Sequence, residues 1–149
     1  MLESLILTCV LSSPISLDKV DQYFSCKDRN EIIMHMQEYI PLFSEYFEHD
    51  DIETALRITY CESRGNPNAV NKNKDNSYDK GLWQFNDHTW NWLKDKLKIK
   101  QDRFDIETST AVASWLIYND TINHWWPSAF CWKINLKTYT RFELERFLD

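Results

Sequence analysis

Residues 62–71 read Glu-Ser-Arg-Gly-Asn-Pro-Asn-Ala-Val-Asn, and residues 81–86 read Gly-Leu-Trp-Gln-Phe-Asn. The first run places one acid at the end of an apolar helix, which Gly65 and Pro67 terminate. The residues between the two runs are polar and rich in turn formers, so they favour either a short antiparallel hairpin or an irregular loop. This stretch decides the fold, because it joins a buried helix to a polar lobe that carries further carboxylates.

Glu62 follows a helical stripe of apolar residues. It comes four residues after Ile58 and seven after Ala55, so it lies on or beside the face that the helix buries. A partly desolvated carboxyl has a raised pKa and can act as a general acid. The alternative is a surface glutamate in a last helical turn. These residues alone do not decide between the two.

Composition and flanking patterns favour a mainly helical protein. The 149 residues include only 2 Gly, which leaves little room for the tight turns of an all-β chain. Asp28 and Glu31 form a capping-box pattern before an apolar helix face that Pro41 breaks or kinks. A further helix begins at Asp105, and its small residues predict close packing behind the helix that carries Glu62.

Aromatic residues are unusually frequent, with 7 Trp, 7 Tyr and 8 Phe. Sugar rings stack their C–H faces on flat aromatic surfaces, and the candidates for lining such a groove are Trp83, Trp90, Trp125 and Trp126. Core packing is the alternative for each of them.

Charge and residue spacing exclude several classes of partner. The net charge of −6 argues against nucleic acid, because phosphate binding depends on Lys and Arg. No stretch approaches the roughly 20 apolar residues of a membrane span. The cysteines and histidines lack zinc-site spacing, and the polar loop lacks the Gly and Glu of a calcium-binding EF-hand. We therefore expect no cofactor and no metal, and we expect a monomer.

The first 16 residues combine a short apolar run with small residues, which is typical of a secretion signal. Glu3 stands where such signals carry positive charge, so a cleaved signal and an ordinary first helix both remain open. Cleavage would remove Cys9 and leave an odd number of cysteines. Four reduced, packed thiols are the alternative to any disulfide.

The residues from 61 to 90 resemble the lysozyme-like superfamily. The gap-free pattern shared with chicken-type lysozymes comprises Glu62, Ser63, Asn66, Ala69, Asn71, Asn73, Asp75, Ser77, Asp79, Gly81, Leu82, Gln84, Asn86 and Trp90. The runs 66–70 and 81–84 also resemble soluble lytic transglycosylases and bacterial or phage wall-lytic domains. The run 111–116, followed by Trp125, Trp126 and Cys131, is similar to the closing part of those bacterial and phage domains.

The resemblance implies a mainly α fold of the α+β lysozyme-like type, in which a helical domain and a small hairpin or loop lobe form a saccharide cleft. It implies a catalytic core at 51–133, within one domain overall. Residues 1–50 would add a possible signal at 1–16 and then helical cladding, and residues 134–149 would form a tail or helix.

The resemblance also implies roles for individual residues. Glu62 would be the general acid and Asp79 the second carboxylate, which stabilises or traps the oxocarbenium ion. The substrate-binding residues that it implies are Asn71, Asn73, Asp75, Gln84 and Asn86. Stacking of sugar rings on aromatic surfaces adds Trp83, Trp90 and Trp125 to the expected substrate-binding residues. Cys61 would pair with Cys131.

We therefore expect a muramidase that cleaves peptidoglycan between N-acetylmuramic acid and N-acetylglucosamine. The chain lacks the chicken-type disulfide framework and the Ala-Tyr-Asn-Ala-Gly motif of many transglycosylases. A lytic transglycosylase that uses Glu62 alone remains an alternative, as does a non-catalytic saccharide-binding module. The expected location is extracytoplasmic, either secreted or associated with a virion or with lysis.

Overall fold

The structure, a computed structural model, describes residues 28–133. Their helices are α1 at 28–35, α2 at Ile40–Tyr46, α3 at Ile52–Ser63, α4 at Asp87–Leu97, α5 at Ile106–Asn119 and α6 at Ala129–Trp132. Their strands are β1 at Val70–Lys72, β2 at Tyr78–Lys80 and β3 at Phe85–Asn86. Short 3₁₀ segments occupy Gln37–Tyr39, His49–Asp51 and Ile122–Ser128. This mainly helical fold with one small sheet confirms the predicted fold class.

Helix α3 has the buried face that its sequence predicts. The residues that face the core are Ala55, Leu56, Ile58 and Thr59, and all four are buried. The helix ends at Ser63, because Arg64 adopts a left-handed conformation with φ of 55° and donates its N–H to the Tyr60 carbonyl. It therefore stops two residues before the predicted terminator Gly65. Glu62 lies in its last turn.

The polar lobe is a hairpin extended by a third strand. The sheet has the antiparallel order β1-β2-β3, in which Asp79 pairs with Asn71 on one side and Asn86 on the other. At the tip, the Asn73 N–H donates to the Ser77 carbonyl at 2.8 Å. Of the two predicted alternatives, the hairpin forms. It places Asp79 on the central strand.

Packed aromatic rings connect the helices to the lobe. The Trp83 ring lies 5.4 Å from Phe43 of α2 and 5.4 Å from Trp125, measured between ring centroids. Helix α5 packs against α2, and Ser114 donates to the Tyr46 carbonyl at 2.6 Å. The packing of α5 behind α3 stays a prediction.

Pro41 lies in the first turn of α2, where the missing N–H has no intrahelical partner to lose. The break in the helix that the sequence predicts at Pro41 is therefore present, as the start of α2. Within residues 28–133, no helix has the length and apolar character needed to cross a membrane. The predictions for a signal at 1–16, for Cys9 and Cys26 and for the tail at 134–149 lie outside the described residues.

Gly81 begins the turn between β2 and β3, and it lies against the loop that precedes α5. Its φ is +83°, and a Cβ at this position would lie 2.4 Å from the Arg103 carbonyl oxygen. The Arg103 side chain in turn donates to the Phe85 carbonyl at 2.8 Å and forms an ion pair with Asp87. Only glycine therefore allows this loop to lie against the sheet.

We expect Gly81→Ala to lower the free energy of unfolding by about 3 kcal/mol, because it adds backbone strain to a clash with a main-chain atom. Urea denaturation measures this. Gly65→Ala is the matched control. Its φ is also positive, but its new Cβ would meet the flexible Met36 side chain, so the loss should be smaller. Equal losses in the two variants would contradict the close contact at Arg103.

Candidate active site

Glu62 and Asp79 line the same cleft, which has a volume of about 390 Å³. The hairpin lobe contributes Asn73, Asp79, Gln84 and Asn86 to its walls, and the last turn of α3 contributes Glu62. Phe85 of β3 and Thr89 of α4 also line the cleft, and the rest of the wall comes from the segment before α6 and from α6 itself, through His124, Trp125, Pro127, Ser128 and Phe130. The fold therefore brings the two predicted carboxylates together from separate elements.

The Glu62 carboxyl is half-buried, and its environment favours the protonated form. Burial raises its pKa, and the nearby charge of Asp79 raises it further. A hydrogen bond from the Ser128 hydroxyl acts in the opposite direction, but the pKa remains above the usual value for a glutamate. Glu62 therefore keeps a transferable proton to a higher pH than an exposed glutamate does.

Asp79 has a polar environment on the central strand. The Asn86 amide donates to Asp79 Oδ1 at 2.8 Å and to Ser77 Oγ at 2.9 Å. Asn86 is itself held because it is the N-cap of α4, where its oxygen accepts the His88 N–H at 3.0 Å. The start of α4 thus fixes the orientation of the Asp79 carboxylate.

Gln84 reaches the cleft, but its side chain is hydrogen-bonded within the lobe. Its amide nitrogen donates to the carbonyls of Ala69 and Gly81 at 3.1 and 2.8 Å. Its oxygen accepts from the Asn71 amide at 2.7 Å. The pair Asn71 and Gln84 therefore connects β1 to the turn after β2, and Asn71 is not part of the cleft wall.

The predicted hydrogen-bonding rim divides into two parts. Asn73 lines the cleft and donates to Ser77 Oγ at 3.2 Å. Asp75 lies at the exposed tip of the hairpin, outside the cleft wall, and accepts the N–H and the hydroxyl of Ser77. These hydrogen bonds from Ser77 lower the pKa of Asp75. Asp75 shapes the turn.

The structure corrects two of the predicted tryptophan positions. Trp83 and Trp90 are only 0% and 3% exposed and belong to the core, so their side chains do not face the cleft. Trp125 lines the cleft, and its indole N–H donates to the Trp83 carbonyl at 2.9 Å. Trp126 is 54% exposed outside the cleft wall, with Lys133 Nζ 3.4 Å from its ring centroid.

Cys61 and Cys131 form a disulfide, as the resemblance implied, across a sequence separation of 70. Cys61 directly precedes Glu62, and Cys131 lies three residues after Ser128. The bond thus joins the helix of the candidate acid to the opposite wall of the cleft.

A family model for the transglycosylase SLT domain matches residues 44–130. The chain belongs to this family. Comparisons with curated proteins and with solved structures found no significant match. The SLT domain belongs to the lysozyme-like superfamily and cleaves the glycan strands of peptidoglycan, a polymer outside the cytoplasmic membrane. The matched range includes Glu62, Asp79 and Ser128.

Phe85 and Thr89 line the cleft and were not identified from the sequence, and the same holds for four residues later in this SLT domain: His124, Pro127, Ser128 and Phe130. These four lie in the aromatic run 124–132, where the tryptophans were the recognisable signal. Ser128 contacts Glu62 across a sequence separation of 66, and no local spacing of residues predicts such a contact. Phe130 is 89% exposed at the edge of the cleft. Within residues 28–133, no cluster of three or more His, Cys, Asp or Glu could hold a metal ion.

Proposed function

We propose that this SLT domain is a muramidase that hydrolyses the β-1,4 bond between N-acetylmuramic acid and N-acetylglucosamine. Glu62 is the general acid that protonates the glycosidic oxygen. Asp79 is the second carboxylate, which stabilises or traps the oxocarbenium ion. The observation that supports this best is the presence of two carboxyl groups in one cleft, one half-buried and the other hydrogen-bonded by Asn86.

The different environments of the Glu62 and Asp79 carboxyl groups support different catalytic roles for them. A raised pKa keeps the proton on Glu62 until the leaving oxygen needs it. Once it has given up that proton, Glu62 can accept one from the water that attacks in the second half of the reaction. Asp79 remains opposite the developing positive charge throughout.

A lytic transglycosylase is the second candidate, and the family match supports it. In that reaction a hydroxyl of the muramyl sugar replaces water as the second nucleophile, so Glu62 alone would suffice. The position of Asp79 favours hydrolysis, since intramolecular attack does not require a second carboxylate.

Product analysis distinguishes the candidates. Purified peptidoglycan is digested in heavy-oxygen water, and the muropeptides are separated and weighed by mass spectrometry. Hydrolysis gives reducing muramyl ends that carry the heavy oxygen. Anhydro-muramyl ends without the label would overturn the hydrolase assignment in favour of the transglycosylase. Saccharide binding without any new chain ends would indicate the non-catalytic module.

We expect Asp79→Asn to lower the rate of cleavage on the order of 100-fold, because the charge opposite the oxocarbenium ion is lost. Release of reducing ends measures the rate. Asp95→Asn is the matched control, since this exposed carboxylate lies on α4 outside the cleft wall. An Asp79→Asn protein with an unchanged rate would point to the transglycosylase route.

A further inference from the structure

The Ser128 hydroxyl lies between two hydrogen-bond acceptors. Its oxygen contacts Glu62 Oε1 and also lies 3.0 Å from the Trp125 carbonyl oxygen. A serine hydroxyl has one proton to donate and two lone pairs that accept. Ser128 can therefore donate to one of these partners at a time, and the protonation state of Glu62 determines which.

Each protonation state of Glu62 has its own hydrogen-bond pattern. When Glu62 is ionised, Ser128 donates to the carboxylate in a charge-assisted bond. When Glu62 is protonated, Ser128 donates to the Trp125 carbonyl, and its oxygen can accept the carboxyl proton. The contact between Ser128 and Glu62 persists in both states.

We propose that Ser128 is a positioning residue that holds the Glu62 carboxyl in one place through both halves of the reaction, by turning its hydroxyl between Glu62 and the Trp125 carbonyl. This inference rests on the proposed role of Glu62 as an acid that later acts as a base. Glycan cleavage needs both states in the same position, because the leaving oxygen and the attacking water approach the same carbon.

The second acceptor is fixed independently of Ser128. The Trp132 indole N–H also donates to the Trp125 carbonyl, at 2.9 Å, and a carbonyl oxygen can accept two hydrogen bonds. The Trp125 side chain is buried and tied to the Trp83 carbonyl. The carbonyl therefore remains in place whether or not Ser128 donates to it.

Both ends of the contact are also covalently restrained. The Cys61–Cys131 disulfide attaches the residue before Glu62 to the helical turn after Ser128. This bond limits how far the two walls can separate. The chain thus supplies a fixed acid, a hydroxyl that can rotate and a fixed alternative acceptor.

Removing the hydroxyl should change the acidity of Glu62 as well as its position. The hydrogen bond from Ser128 lowers the pKa of Glu62 against burial and Asp79, which raise it. Without this donor the carboxylate is less stable, so the pKa of Glu62 rises further. Activity requires protonated Glu62, so the alkaline limb of the pH–rate profile should move to higher pH in Ser128→Ala.

The test compares Ser128→Ala, Ser128→Thr and the matched control Ser44→Ala. The Ser44 hydroxyl donates to the Ile40 carbonyl of its own helix and lies outside the cleft wall. We expect kcat of Ser128→Ala to fall about tenfold with KM unchanged, a part of the ~10²–10⁴-fold contribution of general acid–base catalysis. Ser128→Thr should restore both kcat and the pH profile, and Ser44→Ala should match the wild type.

A carboxyl titration followed by NMR separates this inference from the proposed function. The Glu62 carboxyl signal is assigned by its loss in Glu62→Gln and is titrated in the free protein, without substrate. A pKa that rises in Ser128→Ala and returns in Ser128→Thr supports the contact, even if no preparation cleaves peptidoglycan. An unchanged pKa and pH profile in a folded, active Ser128→Ala protein would overturn it. If Ser128→Ala does not fold, Ser128→Gly removes the same hydroxyl and gives the same comparison.

Discussion

Replacing Glu62 with Gln should lower the rate of peptidoglycan cleavage by about 10³-fold or more, because the amide keeps the shape of the carboxyl and has no acidic proton. The amide oxygen can still accept from Ser128, so the wall of the cleft should remain intact. Clearing of a peptidoglycan suspension measures the rate. Glu45→Gln is the control, since Glu45 is exposed on α2 and outside the cleft wall.

The same substitution has a predictable effect on stability. The pKa of Glu62 is raised in the folded protein, so the folded state binds its proton more tightly than the unfolded chain does. Stability from this group is therefore present below the unfolded pKa and is lost as the pH rises through the raised, folded pKa. Glu62→Gln should match the wild type in acid and equal or exceed it at neutral pH, as thermal unfolding at the two pH values would show. Cleavage activity that survives in Glu62→Gln would refute the assignment of the acid.

Removing the disulfide should have the largest effect on stability. A bond that spans a sequence separation of 70 restricts the unfolded chain by about 4 kcal/mol in the chain-entropy account. We expect the double variant Cys61→Ala and Cys131→Ala to lose about this much free energy of unfolding in urea. Its cleavage activity should fall as well, because Glu62 and Ser128 are no longer joined through neighbouring residues.

Measuring stability with and without a reducing agent provides the matched comparison for the double alanine variant. A protein with Cys9→Ser and Cys26→Ser keeps only the disulfide pair, so any loss of stability on reduction comes from that bond. The double alanine variant should not respond to reductant. If the protein that retains Cys61 and Cys131 unfolds at the same urea concentration with and without reductant, the disulfide does not stabilise the fold.

Local sequence patterns determined much of the helical framework. The buried face of α3 follows from the spacing of Ala55 and Ile58, and the start of α5 follows from Asp105, whose side chain accepts the Thr108 N–H at 2.8 Å. Interactions of this kind join residues three or four positions apart, so a pattern along the chain can reveal them. The pairing of Glu62 with Asp79 followed from a longer pattern, shared with lysozyme-like proteins at fixed spacing.

Only the tertiary structure decided that the polar lobe forms a hairpin and where the tryptophan side chains lie. The turn-rich residues between Glu62 and Gly81 permit a loop or a hairpin, and pairing of β2 with β3 together with the bonds of Gln84 settles the choice. A tryptophan side chain can stack on a sugar ring or pack in a core, and the residue type alone does not decide between them. Trp83 fills the core because Phe43 and Trp125 enclose it on two sides.

The stretch from Glu62 to Asn86 thus determined by itself which acids this protein brings to its cleft and what kind of fold carries them. Only the tertiary structure decided how the acid is held. Ser128 reaches Glu62 across 66 positions, through a helix contact that the Cys61–Cys131 bond maintains. Contacts between distant segments depend on how whole elements pack. The resemblance placed Cys131 beside Cys61, but no pattern in the sequence singled out the Ser128 hydroxyl as the partner of Glu62.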